Sequence, residues 1–98
     1  MIDLNNFGEI TLQTAYRRGK CKRLSEDIHR ETFLSLNEEL NEFDMSSESA
    51  MSEHIPLYTE AEEELADLLI VALTELSRRR VNVEEIITSK ALYNQSRT

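Results

Sequence analysis

The stretch that decides the fold is Glu62-Glu-Glu-Leu-Ala-Asp-Leu-Leu-Ile-Val-Ala-Leu-Thr-Glu-Leu76. It holds no Gly or Pro and consists almost wholly of strong helix formers, so it reads as a helix. From Leu65 to Leu73 only Asp67 is polar. A helix that is apolar on nearly every side is expected to be buried on nearly every side. Thr59 stands three residues before Glu62, the arrangement in which each side chain caps the other's backbone amide, and this sets the helix start. Arg78, Arg79 and Arg80 mark its end.

Working outward, the same logic yields three more helices. After this one, Asn82 precedes Glu85 by three residues, and a final helix runs through Ile86, Ile87 and Leu92 toward Asn94. Before it, Phe33, Leu36, Leu40 and Phe43 follow helical spacing in a segment that starts near Ser25 as N-cap and stops at Asp44. The first helix is expected from about Gly8 to Cys21, with Ile10, Leu12, Ala15 and Tyr16 as its apolar positions. Residues 44–57, DMSSESAMSEHIPL, contain four Ser, one Pro and no apolar period, and read as a loop. The expectation is therefore a single all-α domain over 1–98, a four-helix bundle interrupted by that Ser-rich loop.

Composition narrows the function classes. The chain has 98 residues, 19 acidic and 11 basic, for a net charge of -8. Phosphate backbones are bound mainly by clustered positive charge, so duplex nucleic acid is excluded as the expected partner. No run of about 20 apolar residues is present, so no membrane partner is expected. The first ten residues hold no apolar block of signal-peptide length, and Cys21 has no second Cys to pair with. These features point to a cytoplasmic protein. A chain this short buries a small core, and association into a dimer or tetramer is expected.

The charges are segregated. Between Glu31 and Ser77 there are thirteen Asp or Glu and no Lys or Arg, whereas Arg17 to Arg23 places five bases in seven positions. The basic cluster reads as a solvated face or as a phosphate or partner contact. Within the acidic body, Glu38-Glu39-x-x-Glu42 and Glu64-x-x-Asp67 each set carboxylates on one helix face, because residues three or four apart are surface neighbours. Most such acids are merely solvated. Here Glu39 lies beside the apolar stripe, and Asp67 stands alone in an apolar run. A buried carboxylate without a partner costs several kcal/mol or changes its pKa, so Asp67 requires either a distant base or a metal ion. Four carboxylates without thiolate or imidazole suit hard cations, Mg²⁺ or Mn²⁺. Glu26-x-x-His29 imitates half of a di-iron motif, but His29 lies ten residues, about 15 Å, before Glu39 on the same helix and reads as a surface or interface residue. First-turn Glu60, Glu62 and Glu63 need no role beyond the helix dipole. Lys90, Asn94 and Arg97 share one stripe of the last helix, which reads as an ordinary basic terminus or as a grip on phosphate.

The ordered set EExxE (Glu38, Glu39, Glu42), 21 intervening residues, ExxD (Glu64, Asp67), then Lys90-x-x-x-Asn94 resembles the MazG-like nucleotide pyrophosphohydrolases, from about Leu36 to Arg97. The resemblance implies a dimerising helical bundle that hydrolyses a nucleoside triphosphate, a dNTP or modified NTP, to the monophosphate and pyrophosphate. By the same resemblance Glu39, Glu42, Glu64 and Asp67 ligate Mg²⁺, and Glu38 is a further ligand or the base that orients water. Lys90, Asn94 and Arg97 then contact phosphate or sugar. The chain has no Trp to stack on a base, leaving Phe7, Tyr16 and Tyr93 as stacking or core residues. The competing reading is a non-catalytic helical interaction module with a vestigial or structural metal site.

Overall fold

The computed structural model describes residues 2–97, and among these the regular structure is helical. In chain order the helices are α1 (Leu4–Arg17), α2 (Ile28–Asp44), α3 (Glu60–Arg78) and α4 (Val83–Ser96). The all-α expectation holds at this level. Among the described residues no helix is long and apolar enough to cross a membrane. The chain divides into two compact units, Met1–Lys22 with Leu73–Thr98, and Arg23–Ala72.

Helix ends follow side-chain chemistry. Thr59 Oγ1 accepts from the Glu62 amide at 3.1 Å while Glu62 Oε1 accepts from the Thr59 amide at 2.8 Å, the reciprocal cap read from the sequence. Asn82 Oδ1 caps the Glu85 amide at 3.0 Å. The other two starts differ from expectation. Helix α1 begins four residues early because Asp3 Oδ1 caps the amides of Asn5 and Asn6. Helix α2 begins at Ile28 because Asp27, not Ser25, is the cap, accepting from the Arg30 amide at 3.0 Å, while the Ser25 hydroxyl donates to Glu31.

In the first unit, α1 packs against the start of α4. Leu12, Leu73 and Val83 are buried there. Gly8 permits the close approach: a Cβ at that position would sit 2.7 Å from Ser77 Oγ. Asn5 Oδ1 accepts from the Val83 amide at 2.6 Å, and Thr74 Oγ1 donates to Thr11 Oγ1 at 2.9 Å. Arg78 does more than mark the end of α3. Its side chain, 4% exposed, pairs at 3.2 Å with Glu75, 7% exposed, and donates to the Lys22 carbonyl at 3.0 Å. Arg80 adopts φ 64°, a left-handed residue that ends α3.

The second unit contains α2, the loop and the first part of α3. The Ser-rich segment is irregular but heavily bonded. Ser47 O accepts from the Ala61 amide at 3.0 Å, Ala50 O from the Glu60 amide at 2.9 Å, and Met51 forms an isolated antiparallel bridge with Thr59. Together with the Thr59 cap, these bonds satisfy three of the amide donors that a helix start leaves open. Ala61 is buried beneath them.

The expectation that the apolar stretch of α3 is buried on every side is corrected. Leu65 and Leu69 are 52% and 59% exposed, and Ala66 is exposed with them. On α2, Phe33 and Leu40 are also about half exposed, while Leu36 and Phe43 are less so. Hydrophobicity specifies that a face seeks cover, and these residues have about half of it.

Candidate metal centre

Residues 39 and 42 lie one turn apart on α2, and residues 64 and 67 one turn apart on α3. Each of Glu39, Glu42, Glu64 and Asp67 offers a carboxylate oxygen, and the four oxygens lie within 4.8 Å of one another. All four belong to the second unit. Oxygens about 4 to 5 Å apart are what two ligands on opposite sides of one hard divalent cation require. The four residues that the motif resemblance implies as ligands are therefore four that the fold brings together.

The electrostatics of this group are unfavourable without a cation. The Glu39 carboxyl is pushed up from 4.5 to about 7, first by desolvation, then by Glu42, Asp67 and Glu64. Glu64 is also raised, chiefly by desolvation and then by Asp67 and Glu42. One oxygen on each, Oε2, is buried and has no hydrogen-bond partner. Buried acceptors are normally satisfied, and an acceptor facing other acceptors is satisfied by a proton or a cation. Four hard oxygens with two open acceptors fit Mg²⁺ or Mn²⁺ by ligand chemistry.

The remaining sequence candidates lie elsewhere. Glu38 is exposed on α2, next in sequence to Glu39 but outside the four-carboxylate group. His29 is exposed at the start of α2, consistent with a surface role. Lys90, Asn94 and Arg97 are exposed at the end of α4, in the first unit. Lys90 Nζ lies 4.7 Å from the centre of the Tyr93 ring and Arg97 Cζ 5.8 Å from it, so both cations rest on one aromatic side chain. That makes Tyr93 an exposed platform rather than a core residue.

Sequence reading missed what Glu60 and Glu63 do. Glu60 Oε1 accepts from the Ser47 amide at 3.1 Å. Glu63 Oε1 accepts from the buried Ser52 hydroxyl at 2.6 Å, and Glu63 Oε2 meets His54 Nδ1 at 2.8 Å. Ser52 Oγ in turn accepts from the amides of His54 and Ile55. These bonds hold the Glu63 carboxylate below its usual range and raise His54 above its own. The hydroxyl-rich loop and the glutamates opposite it were both visible, but their pairing depends on how the loop folds back.

No protein-family model matches the chain, and no curated protein or solved structure matches it either.

Proposed function

We propose that this protein is a MazG-like, Mg²⁺-dependent nucleoside triphosphate pyrophosphohydrolase working as a dimer or tetramer. The observation that carries the reading is the convergence of Glu39, Glu42, Glu64 and Asp67, with buried open oxygens on Glu39 and Glu64. The ordered motif spanning Leu36 to Arg97 supplies the reaction class. Mn²⁺ is the alternative ion.

In this reading the four carboxylates hold the metal. Bound Mg²⁺ supplies charge neutralisation for the triphosphate and a lowered pKa for water at the reacting phosphorus. The chain's own groups do the rest. Asp67 and Glu64 are spaced one helical turn apart on α3, and Glu39 and Glu42 likewise on α2, so two rigid elements set the ligand positions. Glu38 orients the attacking water and accepts its proton. Lys90 and Asn94, one turn apart, with Arg97, provide charge-assisted bonds to phosphate or sugar oxygens. Water adds at the α-phosphorus, and the bond to the β-phosphate oxygen breaks to release pyrophosphate.

The test is a panel of standard and modified dNTPs with Mg²⁺, followed by pyrophosphate release. Metal-dependent turnover of any member supports the reading. Metal binding without turnover across the panel would leave the structural metal site of an interaction module as the better account.

A further inference from the structure

The basic run Arg17-Arg-Gly-Lys-Cys-Lys-Arg23 plays no part in the carboxylate cluster. Four of its cations, Arg17, Arg18, Lys20 and Lys22, belong to the unit that contains α1 and α4, and all four are exposed. No acid stands between Glu9 and Glu26 in the sequence, and among the described residues no carboxylate pairs with any of the four. The C-terminus of a helix carries about half a negative charge, which Arg17 alone offsets. The other three cations are surplus to α1.

The segment is held in place. Gly19 takes φ 71°, the Lys20 amide donates to the Ala15 carbonyl at 2.8 Å and the Gly19 amide to the Tyr16 carbonyl at 3.1 Å, which closes the helix end. Two residues on, Arg78 donates to the Lys22 carbonyl, and Arg78 is itself fixed by the buried Glu75. Four like charges are thus kept on one short ordered stretch, where they repel one another. A bound polyanion removes that repulsion.

Exposure and a neighbouring ring say which polyanion. Because all four cations are exposed, they frame a surface suited to an extended chain of charges rather than a pocket for one small anion. The same unit presents Tyr93, 57% exposed, with Lys90 and Arg97 against its ring. An exposed aromatic ring beside cations is what an unpaired base and its phosphates meet when a single strand is bound. An acidic peptide or an anionic lipid surface makes no use of the ring, and in a duplex the base faces are stacked away. The net charge of -8 is no obstacle. At 0.1 M salt exposed charges beyond about 10 Å are screened, and this unit carries nine bases against five acids.

We propose that the unit containing α1 and α4 binds single-stranded nucleic acid, with phosphates on Arg17, Arg18, Lys20 and Lys22 and a base on Tyr93. This lies beyond the pyrophosphohydrolase reading and does not depend on it.

The test follows the anisotropy of fluorescein-labelled oligo-dT and oligo-U strands of about 20 nucleotides, titrated with the full chain at 50 to 200 mM salt. Chelator is present throughout, so no metal bridges phosphate to carboxylate. Saturable binding of either strand is expected, weakening by about fifty-fold or more across that range, as four neutralised phosphates require. Arg17→Ala, Arg18→Ala, Lys20→Ala and Lys22→Ala combined should reduce the slope of log affinity against log salt by about 3, and Arg17→Ala with Lys20→Ala by about half of that. Circular dichroism checks that each variant is folded. Tyr93→Leu should raise the dissociation constant about tenfold at an unchanged slope, the mark of lost stacking. Absence of saturable binding at 50 mM salt overturns the proposal, as does an unchanged slope in the folded charge variants. Wild-type affinity in Tyr93→Leu, or competition by polyglutamate or duplex DNA as strong as by the unlabelled strand, also overturns it. Pyrophosphate release is not read, so the hydrolytic reading fails or stands separately.

Discussion

Glu63 and Glu64 are adjacent on α3 and titrate in opposite directions. The Glu63 carboxylate is held low by the Ser52 hydroxyl and His54, whereas Glu64 is raised by desolvation and by Asp67 and Glu42. A turn of 100° per residue separates a glutamate surrounded by donors from one surrounded by acceptors. One serves the loop, and the other serves the carboxylate cluster.

Asp67→Asn is expected to abolish Mg²⁺-dependent hydrolysis while the fold survives. The amide keeps the shape but removes one charge from the ligand set. Without metal the variant should be slightly more stable than wild type, because clustered carboxylates disfavour one another's ionised forms. Thermal melts in chelator together with a pyrophosphate assay check both halves. Wild-type activity in the purified variant would reject Asp67 as a ligand.

The metal-free protein should lose stability as pH rises from 5 to 8. In the folded chain the Glu39 carboxyl is raised from 4.5 to about 7. The folded state therefore holds this proton more tightly than the unfolded one, and that contribution is complete below 4.5 and lost as pH passes through 7. A fall in Tm of about 5 °C, corresponding to about 1 kcal/mol, is expected. Mg²⁺ should reverse the trend, stabilising more at pH 8 than at pH 5, since proton and cation compete for Glu39. Calorimetry near pH 6 should detect proton release on metal binding.

The His54 ring should titrate above its usual 6.5 by NMR, because Glu63 stabilises the imidazolium. Glu63→Gln should bring the value back toward 6.5. If the titration is the same in both proteins, the Ser52–Glu63–His54 network does not form in solution.

Arg78→Met is expected to destabilise the protein, since it removes the guanidinium that pairs with the buried Glu75 carboxylate at 3.2 Å and donates to the Lys22 carbonyl. Arg78→Met combined with Glu75→Leu should recover most of the loss. Urea melts of the single and double variants decide this.

Lys90→Ala should raise KM or lower kcat/KM by the equivalent of about 1.5 to 3 kcal/mol, the range for a lost charged hydrogen bond. Mg²⁺ affinity without nucleotide should not fall. Sedimentation of the same sample separates a lost phosphate contact from a weakened dimer. Loss of Mg²⁺ binding with normal kinetics at saturating metal would refute the assigned role.

Much of this was legible in the chain, for local reasons. The caps at Thr59 and Asn82 and the end at Asp44 depend on side chains within four residues, so spacing discloses them. The four carboxylates were legible because period and apolar context together placed Glu39 and Asp67 beside the apolar stripes. What was missed depends on long-range partners. Asn5 lies before the expected start of the first helix and Gly8 at it, and nothing local discloses that one bonds the Val83 amide and the other makes room for Ser77. The Glu75–Arg78 spacing was visible, but the burial that gives it weight was not. Leu65 and Leu69 show the converse, an apolar pattern that states a need for cover without stating what meets it.

The Ser-rich loop has a consequence for affinity. Twenty-one residues separate Glu42 from Glu64, and joining two ligand pairs across a free chain of that length costs closure entropy at the moment of binding. Here Ser47 and Ala50 already hold the first amides of α3, and Ser52 is anchored on Glu63. The ordering is done during folding, so α2 and α3 meet a cation as the two arms of one preformed chelator. Cutting those serine bonds should lower metal affinity without touching a single ligand.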